Sequence, residues 1–434
     1  MASADLLFRG ARMVDPAGGR DEIADVLVRD GVVADVGHGL DASSAEIVDC
    51  DGLVLAPGLV DMHTHLREPG FEHKETVETG TRSAAVGGYT AVAPMANTDP
   101  VADDASVIAE VRAAAARADL ADVFPVGAIT KGLEGEVLAE IGEMVAAGVR
   151  VFSDDGRCVP TARILRTALT YALAFDDVVL ADHCEDPSLS IGQQMHEGLS
   201  SYSLGLAGQP AAAEDAIVFR DIEMARLTGG RLHICHLSSA RSVALVRSAK
   251  ADGLRVSAEV TPHHLVFIDE DLRSYDTNLK VNPPLRSAED REALRQGLAD
   301  GTIDAIATDH APHAVEEKES EFDRAPHGTI GLETALAVAL TELVEPGLLT
   351  LSRVLEALSY APARLIGARE HGGPIEGGRP ANLVVFDPEE RWIAEPPFVS
   401  KSRNSAFTGR GLRGRVRHTV LHGELTVSEG KATR

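Results

Sequence analysis

The stretch VDMHTHLREPG at residues 60–70 ends a short apolar run with two histidines, His63 and His65, that are separated by one residue. Side chains two residues apart on a β-strand point to the same side. Two imidazoles on one side of a strand end can chelate zinc or a similar metal. Because a lone His-x-His pair is weak evidence, its meaning depends on the segments that follow.

Eight short apolar runs, of which this stretch contains the first, alternate with segments of helical periodicity. The runs lie at residues 59–62, 90–93, 123–126, 149–152, 178–181, 232–235, 256–260 and 303–307. Helical patterns lie at residues 106–118, 162–174, 213–229 and 242–253, and again at 331–344 and 351–367. This alternation predicts an α/β fold, a (β/α)8 TIM-like barrel. A doubly wound open sheet is the alternative.

The two ends of the chain show a different pattern, in which apolar residues alternate and Gly or Pro interrupts them. Such segments are typical of short β-strands joined by turns. We therefore predict a small β-sandwich domain built from residues 1–57 and 370–434, beside a barrel at residues 58–369. Two unrelated β appendages are the alternative.

Residues 310–328 (HAPHAVEEKESEFDRAPHG) form a polar, charged segment after the eighth run. It is long for a connection between a strand and a helix, so we predict a flap over the site. A solvated surface loop is the alternative.

The net charge is −26, because 67 acidic residues outnumber 41 Lys and Arg among 434 residues. A surface this acidic repels nucleic acids and anionic membranes, so neither is expected as a partner. Four scattered cysteines do not suit a disulfide scaffold. The first 16 residues lack the pattern of a secretory signal, and no apolar run reaches the roughly 20 residues of a membrane span. A cytoplasmic protein is predicted.

Further candidate ligands stand where later strands end. They are Asp154 or Asp155 after the fourth strand, His183 after the fifth, His236 after the sixth and Asp309 after the eighth. A single such residue is more often a cap or a satisfied polar group, but five strand ends sharing the feature by accident is implausible. Four histidines and at least two aspartates suit two divalent metals bridged by a carboxylate and a hydroxide. Strand alternation alone leaves the choice between Asp154 and Asp155 open.

Several neighbours of these ligands are predicted to play other parts. Alternation places Cys184, Cys235 and His233 on the opposite side of their strands, where the cysteines act as small buried apolar groups. His263 and His264, in EVTPHHL at the end of the seventh strand, are expected to support the site or the fold.

The motifs HTHLREPG, GGYTAVAPMANTDP, FSDDG, DHCED, HICHLSS, EVTPHHL, VNPPLR and ATDHAPH together resemble the dihydroorotases of the long-chain bacterial type, in the amidohydrolase superfamily. The similarity runs over nearly the whole chain. It implies that His63, His65 and Asp309 hold one metal, that His183 and His236 hold the other, and that Asp155 bridges both.

Many relatives bridge the metals with a carboxylated lysine on the fourth strand, but this chain has no lysine between Lys131 and Lys250. The form bridged by an aspartate fits instead. The metals are expected to be two divalent ions, zinc before manganese or cobalt, since sites of His and Asp accept several metals.

The implied substrate is dihydroorotate, or N-carbamoyl-L-aspartate in the reverse direction. Arg67 offers a planar fork for its carboxylate. The resemblance adds His65, Asn97, Asn282, His313 and the backbone near His327 and Gly328. Read alone, Asn97 is more readily a turn residue, and Asn282 a residue that simply precedes a proline. The family commonly has Pro-Gly where this chain has His327-Gly328, so the backbone contact at residue 327 stays open.

The implied activity is the reversible hydrolysis of dihydroorotate in pyrimidine biosynthesis, through a hydroxide that bridges the two metals. Asp309 would act as general acid and base. The alternatives are another cyclic amidohydrolase, such as a hydantoinase or an allantoinase, and an inactive scaffold for a partner enzyme. A homo-oligomer and association with aspartate transcarbamoylase are expected from the family's habit.

Overall fold

The computed structural model describes residues 5–41 and 45–434. The prediction about a secretory signal rests in part on residues 1–4, which lie outside this range. The N-terminal part of the chain forms five strands. These are β1 (Leu6–Asp15), β2 (Arg20–Arg29), β3 (Val32–Gly37), β4 (Glu46–Asp49) and β5 (Val54–Pro57).

The next ten strands belong to the barrel and to one insertion in it. The barrel strands are β6 (Leu59–Thr64), β7 (Tyr89–Pro94), β8 (Asp122–Val123), β9 (Val151–Ser153), β10 (Val179–Asp182), β13 (Leu232–Ile234), β14 (Val256–Val260) and β15 (Ala305–Ile306). The insertion between β10 and β13 carries the short pair β11 (Met195–His196) and β12 (Gly208–Gln209).

Parallel pairing joins the eight barrel strands into a closed ring. One sheet runs β6-β7-β8 and another runs β9-β10-β13-β14-β15. Parallel bridges between Gly127 and Phe152 and between Thr64 and His310 connect the two sheets at both seams. The predicted (β/α)8 barrel is therefore confirmed, and the open doubly wound sheet is wrong.

Helices surround the barrel. They are α1 (Val77–Val86), α2 (Ala105–Ala118), α3 (Ile141–Ala146), α4 (Ala162–Ala172), α5 (Pro187–Ser190), α6 (Leu199–Leu204), α7 (Ala212–Thr228), α8 (Ala240–Ala251), α9 (Ala288–Ala299), α10 (Val315–Lys318), α11 (Ala335–Ala339), α12 (Leu351–Leu355) and α13 (Ala361–Leu365). Of these, α2, α4, α7 and α8 coincide with predicted helical patterns, whereas α9 was not predicted. Wider π-helical turns follow α11 and α12. Side chains of Thr76, Asp104 and Thr161 cap α1, α2 and α4 at their N-terminal ends.

The C-terminal part of the chain adds β16 (Leu383–Ile393), β17 (Gly411–Leu421), β18 (Glu424–Ser428) and β19 (Lys431–Ala432). β16 pairs antiparallel with β5, so both chain ends share one nine-stranded sheet. The predicted β domain from both ends is confirmed, and two unrelated appendages are excluded. The exact boundaries, residues 1–57 and 370–434 against 58–369, stay a prediction.

Strand alternation explains how this sheet serves two cores. Leu383 and Val385 of β16 pack with Phe8 and Val26 in a core enclosed by the curled sheet. The residue between them, Val384, faces the other way and packs against the barrel's apolar layer. The composite domain is thus fixed to the barrel by every second residue of its central strands.

Within residues 5–41 and 45–434, every helix is too short or too polar to cross a lipid bilayer.

Gly87 provides a test of how closely the barrel is packed. A Cβ atom added at this residue would lie 2.1 Å from the backbone oxygen of Leu332. That oxygen can move away only if the main chain around Leu332 moves with it. We expect Gly87→Ala to cost about 1–3 kcal/mol of stability and to lower the melting temperature followed by circular dichroism. Gly411→Ala is the control, since no heavy atom lies within 4 Å of its added Cβ. Equal melting temperatures for the two variants would contradict the packing argument.

Candidate metal centre and active site

The C-terminal ends of five barrel strands bring six ionisable side chains together. Each of the six is at most 7% exposed. They are His63, His65, Asp155, His183, His236 and Asp309. Since the C-terminal ends of parallel barrel strands meet on one face, residues far apart in sequence converge here.

The first group comprises His63, His65 and Asp309, whose nearest ligand atoms all lie within 4.8 Å of one another. The Nε2 atom of His65 lies 3.0 Å from Oδ1 of Asp309, and the Nε2 atom of His63 lies 3.7 Å from the same oxygen. Asp155 approaches both imidazoles, with its oxygens 3.3 Å from His63 Nε2 and 3.5 Å from His65 Nε2.

The second group comprises His183 and His236 on the other side of Asp155. Their Nδ1 and Nε2 atoms lie 3.0 Å apart. Oδ1 of Asp155 lies 3.5 Å from the first of these atoms and 3.4 Å from the second. The Asp155 carboxylate therefore stands between the two groups.

Hydrogen bonds behind the cluster decide which imidazole nitrogens point into it with a lone pair. Nδ1 of His63 faces Glu259 at 2.6 Å, and Nδ1 of His65 faces the side-chain oxygen of Asn97 at 3.0 Å. Nε2 of His183 faces Glu185 at 2.7 Å. Each outer nitrogen donates its N–H to an oxygen, so the inner nitrogen is left as an acceptor.

The residues fit a pair of divalent cations. Two imidazole lone pairs at 3.0 Å, those of His183 and His236, repel each other unless a proton or a cation lies between them. Among residues 5–41 and 45–434, no group forms a well-directed hydrogen bond with the fully buried inner Nε2 atom of His63, although Asp155 Oδ1 lies 3.3 Å away. Nitrogen and carboxylate donors in this mixture suit zinc and similar metals.

The neighbouring acid Asp154 has another task. Its Oδ1 atom accepts hydrogen bonds from the backbone N–H groups of Ile129 and Thr130, at 2.8 and 2.9 Å. Asp154 therefore fastens the loop after β8, and Asp155 is the acid that faces the cluster.

Left-handed backbone conformations help to aim these side chains. His236 has a φ of 27° and Asp309 a φ of 46°, and Arg67 beside the cluster has a φ of 62°. Such values are uncommon for residues other than glycine and are held in place by the surrounding structure. The strands thus lose their regular alternation where they enter the site.

This loss of alternation makes two predictions wrong. Cys235 faces the barrel interior, in one apolar layer with Met62, instead of facing the helices. His233 also faces inward, with its Nε2 atom 3.2 Å from Glu259. The predicted directions of His233 and Cys235 assume regular alternation up to His236. The left-handed backbone of His236 breaks that alternation. Cys184 does pack toward α7, where its Sγ atom lies 3.4 Å from Asp221.

Two supporting acids were not predicted. Glu259 lies inside β14 and contacts both His63 and His233. Burial alone would raise the pKa of Glu259, but the two imidazoles hold it below its usual range. Burial likewise opposes ionisation of Glu185, yet His183 brings the pKa of Glu185 down to about 2. An acid within the buried run 256–260 was the available sequence signal for Glu259.

His263 and His264 follow β14. The imidazole of His264 contacts Thr261 Oγ1 at 2.8 Å and the backbone oxygen of Pro283 at 2.9 Å, so both of its nitrogens are engaged in holding loops. His263 is buried beside it, with a ring-centroid distance of 4.6 Å. The role of His263 and His264 in supporting the site or the fold stays a prediction.

The residues expected to bind substrate lie around the rim of the cluster. Nε of Arg67 donates to the backbone oxygen of Pro312 at 3.2 Å. The amide of Asn97 reaches His65 and, at 3.4 Å, the backbone oxygen of Asp155. Asn282 donates to Glu185 at 2.6 Å, and its amide nitrogen also lies 3.3 Å from Nε2 of His183 in the second group.

The loop at residues 310–328 closes one side of the rim. His313 Nε2 donates to the backbone oxygen of His327 at 2.8 Å, and the N–H of Gly328 donates to the backbone oxygen of Lys280 at 2.8 Å. Gly328 has a φ of 136°, and an added Cβ would lie 2.8 Å from Ala311 Cβ. Because the N–H of Gly328 is already engaged, a ligand at this position would have to use the backbone N–H of His327 instead.

Buried polar side chains fasten this loop from beneath. Lys318 Nζ donates to the backbone oxygens of Pro326 and Gly328, both at 2.9 Å. Asn404, from the segment between β16 and β17, donates to Ala311 O at 2.9 Å and Gly328 O at 3.1 Å and accepts from His313 N at 3.1 Å. The sequence analysis predicted no role in the site for Lys318 or Asn404.

Comparison with known families gives two matches. A model described as dihydro-orotase-like matches residues 52–242, and the amidohydrolase family model matches residues 220–426.

Comparison with individual proteins covers nearly the full length. The chain is 52% identical over 430 residues to a dihydroorotase of Streptomyces coelicolor, covering 98% of this chain and 99% of that one. It is 49% identical to a dihydroorotase of Pelotomaculum thermopropionicum, with the same coverage of each chain.

Among solved structures, an L-hydantoinase (dihydropyrimidinase) from Arthrobacter aurescens superposes with a TM-score of 0.88 at 26% identity, covering 100% of this chain and 98% of that one. A dihydropyrimidinase from Brevibacillus agri shares the fold, with a TM-score of 0.85 at 23% identity and coverage of 99% and 96%. Barrel, sheet and sequence thus agree, and the chain belongs to the dihydroorotase family of metal-dependent cyclic amide hydrolases.

Proposed function

We propose that this protein is a cytoplasmic dihydroorotase that interconverts (S)-dihydroorotate and N-carbamoyl-L-aspartate in pyrimidine (UMP) biosynthesis. The observation that carries the proposal is the Asp155 carboxylate between two groups of inward-facing imidazoles, 3.3–3.5 Å from four of their nitrogens. Relatives that share about half of the sequence over their full length bear the same name.

In this proposal two divalent ions, zinc before other metals, bind at the cluster. His63, His65 and Asp309 would hold one ion, His183 and His236 would hold the other, and Asp155 would be available to both. When bound, such ions supply the Lewis acidity that makes water nucleophilic near neutral pH and polarises an amide carbonyl.

Asp309 moves the proton. Its carboxylate is buried beside His65 at the strand end, where it accepts the proton of the attacking water and passes it to the departing ring nitrogen. In the biosynthetic direction the same carboxylate takes the proton from the nitrogen as the ring closes. Because the Asp309 carboxylate is fixed at the rim, the proton travels only a short distance between the attacking water and the ring nitrogen.

Arg67 recognises the carboxylate of the substrate. The protein as a whole repels anions, with a net charge of −26, so attraction must be local. Burial lowers the pKa of Arg67 to about 10, which leaves the guanidinium charged at neutral pH. Asn97, Asn282, His313 and the backbone at His327 and Gly328 complete the binding surface, and Lys318 and Asn404 hold the loop at residues 310–328 over it as a flap.

A homo-oligomer and association with aspartate transcarbamoylase belong to this proposal as expectations from the family alone.

Turnover and metal content tested on one sample decide between the proposal and its alternatives. We expect the purified protein to deplete dihydroorotate, followed near 230 nm, and to leave hydantoin and allantoin unchanged. A chelator should abolish the activity and zinc should restore it. Preferential turnover of hydantoin or allantoin would indicate another cyclic amidohydrolase. A metal-free protein that stays inactive after addition of zinc would indicate a scaffold.

Asp309→Asn tests the proton transfer. The amide keeps an oxygen ligand but cannot accept the proton, so we expect metal content to persist while kcat falls by about 10²–10⁴-fold. Asp323→Asn, at an exposed position in the same loop region, should behave like the unchanged protein. An Asp309→Asn variant that binds metal and keeps near-normal kcat would refute the assignment.

Glu259→Gln tests the support behind His63. Without the carboxylate, the His63 N–H loses a charged acceptor at 2.6 Å, and we expect metal affinity to fall about 10–100-fold. Competition with a chromophoric chelator and elemental analysis measure this directly. Glu289→Gln, at an exposed position on α9, is the matched control. Unchanged affinity in Glu259→Gln would mean that Glu259 only fills space.

A further inference from the structure

A groove of about 660 Å³ lies at the end of the barrel opposite the active site. Its lining includes residues that stand just before barrel strands, Arg231 before β13 and Asp304 before β15, and these mark the N-terminal ends of the strands. The volume is in the range of small-molecule sites. None of its lining residues takes part in the proposed catalysis.

Four arginines line this arginine groove, one just before β13 and three within residues 364–379. They are Arg231, Arg364, Arg369 and Arg379. Such a concentration is unusual for a chain in which 67 acids outnumber 41 bases. A guanidinium presents several N–H donors in one plane and binds phosphate or carboxylate oxygens in pairs.

The acids of the groove neutralise these arginines only in part. Asp304 is paired with Lys250 at 2.7 Å and Glu356 with Arg353 at 3.2 Å, both cations that lie outside the lining. Asp177 is shared between Arg231 at 3.1 Å and Arg369 at 2.5 Å. The groove therefore keeps an excess of positive charge.

Arg364 and Arg379 carry that excess. In the part of the chain that the structure describes, neither guanidinium has a carboxylate within 4.0 Å. Arg364 donates to the hydroxyl of Tyr360 at 2.7 Å and lies 5.4 Å from the centre of its ring. Arg379 donates only to backbone oxygens, those of Arg369 and Gly373 at 2.9 and 3.0 Å. Both retain N–H donors for an anion.

We propose that the arginine groove binds a phosphate-bearing small molecule, with its phosphate between Arg364 and Arg379. Tyr360 offers an aromatic face beside these cations, which suits a phosphate attached to a ring system, such as a nucleoside monophosphate. The site is separate from the active site and does not depend on the function proposed for it.

Isothermal titration of the metal-loaded protein with adenosine 5′-monophosphate, inorganic phosphate and adenosine tests this inference. We expect heat from the monophosphate and weaker heat from phosphate, both decreasing with added salt. Adenosine should bind least. Saturating dihydroorotate should leave the affinity unchanged, whereas competition would place the ligand in the active site and overturn the proposal.

The variant Arg364→Gln/Arg379→Gln should weaken binding of the monophosphate at least about tenfold, as expected for the loss of charged hydrogen bonds. The control Arg163→Gln/Arg241→Gln removes two exposed arginines, on α4 and α8, and should bind normally. Melting temperature and dihydroorotate turnover report that both variants are folded.

Equal affinity in the two variants, or no binding to the unchanged protein, would overturn the proposal. Light scattering gives a further readout. Loss of an oligomer in Arg364→Gln/Arg379→Gln without any effect on anion binding would mean that the groove contacts an acidic surface of a second copy instead.

Discussion

The rest of the site depends on one carboxylate, that of Asp155, held among four imidazoles in a place that water hardly reaches. Burying a charge is costly unless opposite charges or hydrogen bonds compensate it. The barrel meets this requirement by ending several strands at one rim, so that every partner arrives from a different part of the chain. Ser153 adds local control, because its hydroxyl accepts the backbone N–H of Asp155 at 3.1 Å.

Behind the imidazoles stands a set of oxygen acceptors, which includes Glu259 and Glu185. They use the outer N–H of a ring and so turn its basic nitrogen toward the centre. The barrel interior contains an apolar layer that includes Met62 and Cys235. A rigid floor and fixed tautomers mean that the cluster is organised before any substrate arrives.

The sequence allowed the barrel, the two-ended sheet and the six clustered residues to be predicted, because each of these follows from short-range patterns. The sequence contains eight apolar runs, and five of them end in a histidine or an aspartate. Choosing Asp155 over Asp154 needed the family resemblance, since alternation is ambiguous at a strand end. The errors at His233 and Cys235 come from the left-handed backbone of His236, which periodicity cannot anticipate. Asn404 could not be predicted because its partners, Ala311 and Gly328, lie far away in sequence. Glu185 lies only two residues from His183, but no periodic pattern marks it as a partner of that imidazole.

The position of Asn404 in the sequence affects when the protein can complete its folding during synthesis. It lies near the end of the chain, yet it fastens Ala311 and Gly328 at the rim of the barrel. Likewise, the edge of β5 that pairs with β16 stays unpaired until β16 has been synthesised. A ribosome therefore releases almost the entire polypeptide before the catalytic rim can be completed. Nascent chains that stop short of this asparagine carry all six clustered side chains and still lack one of the contacts that hold the loop at residues 310–328.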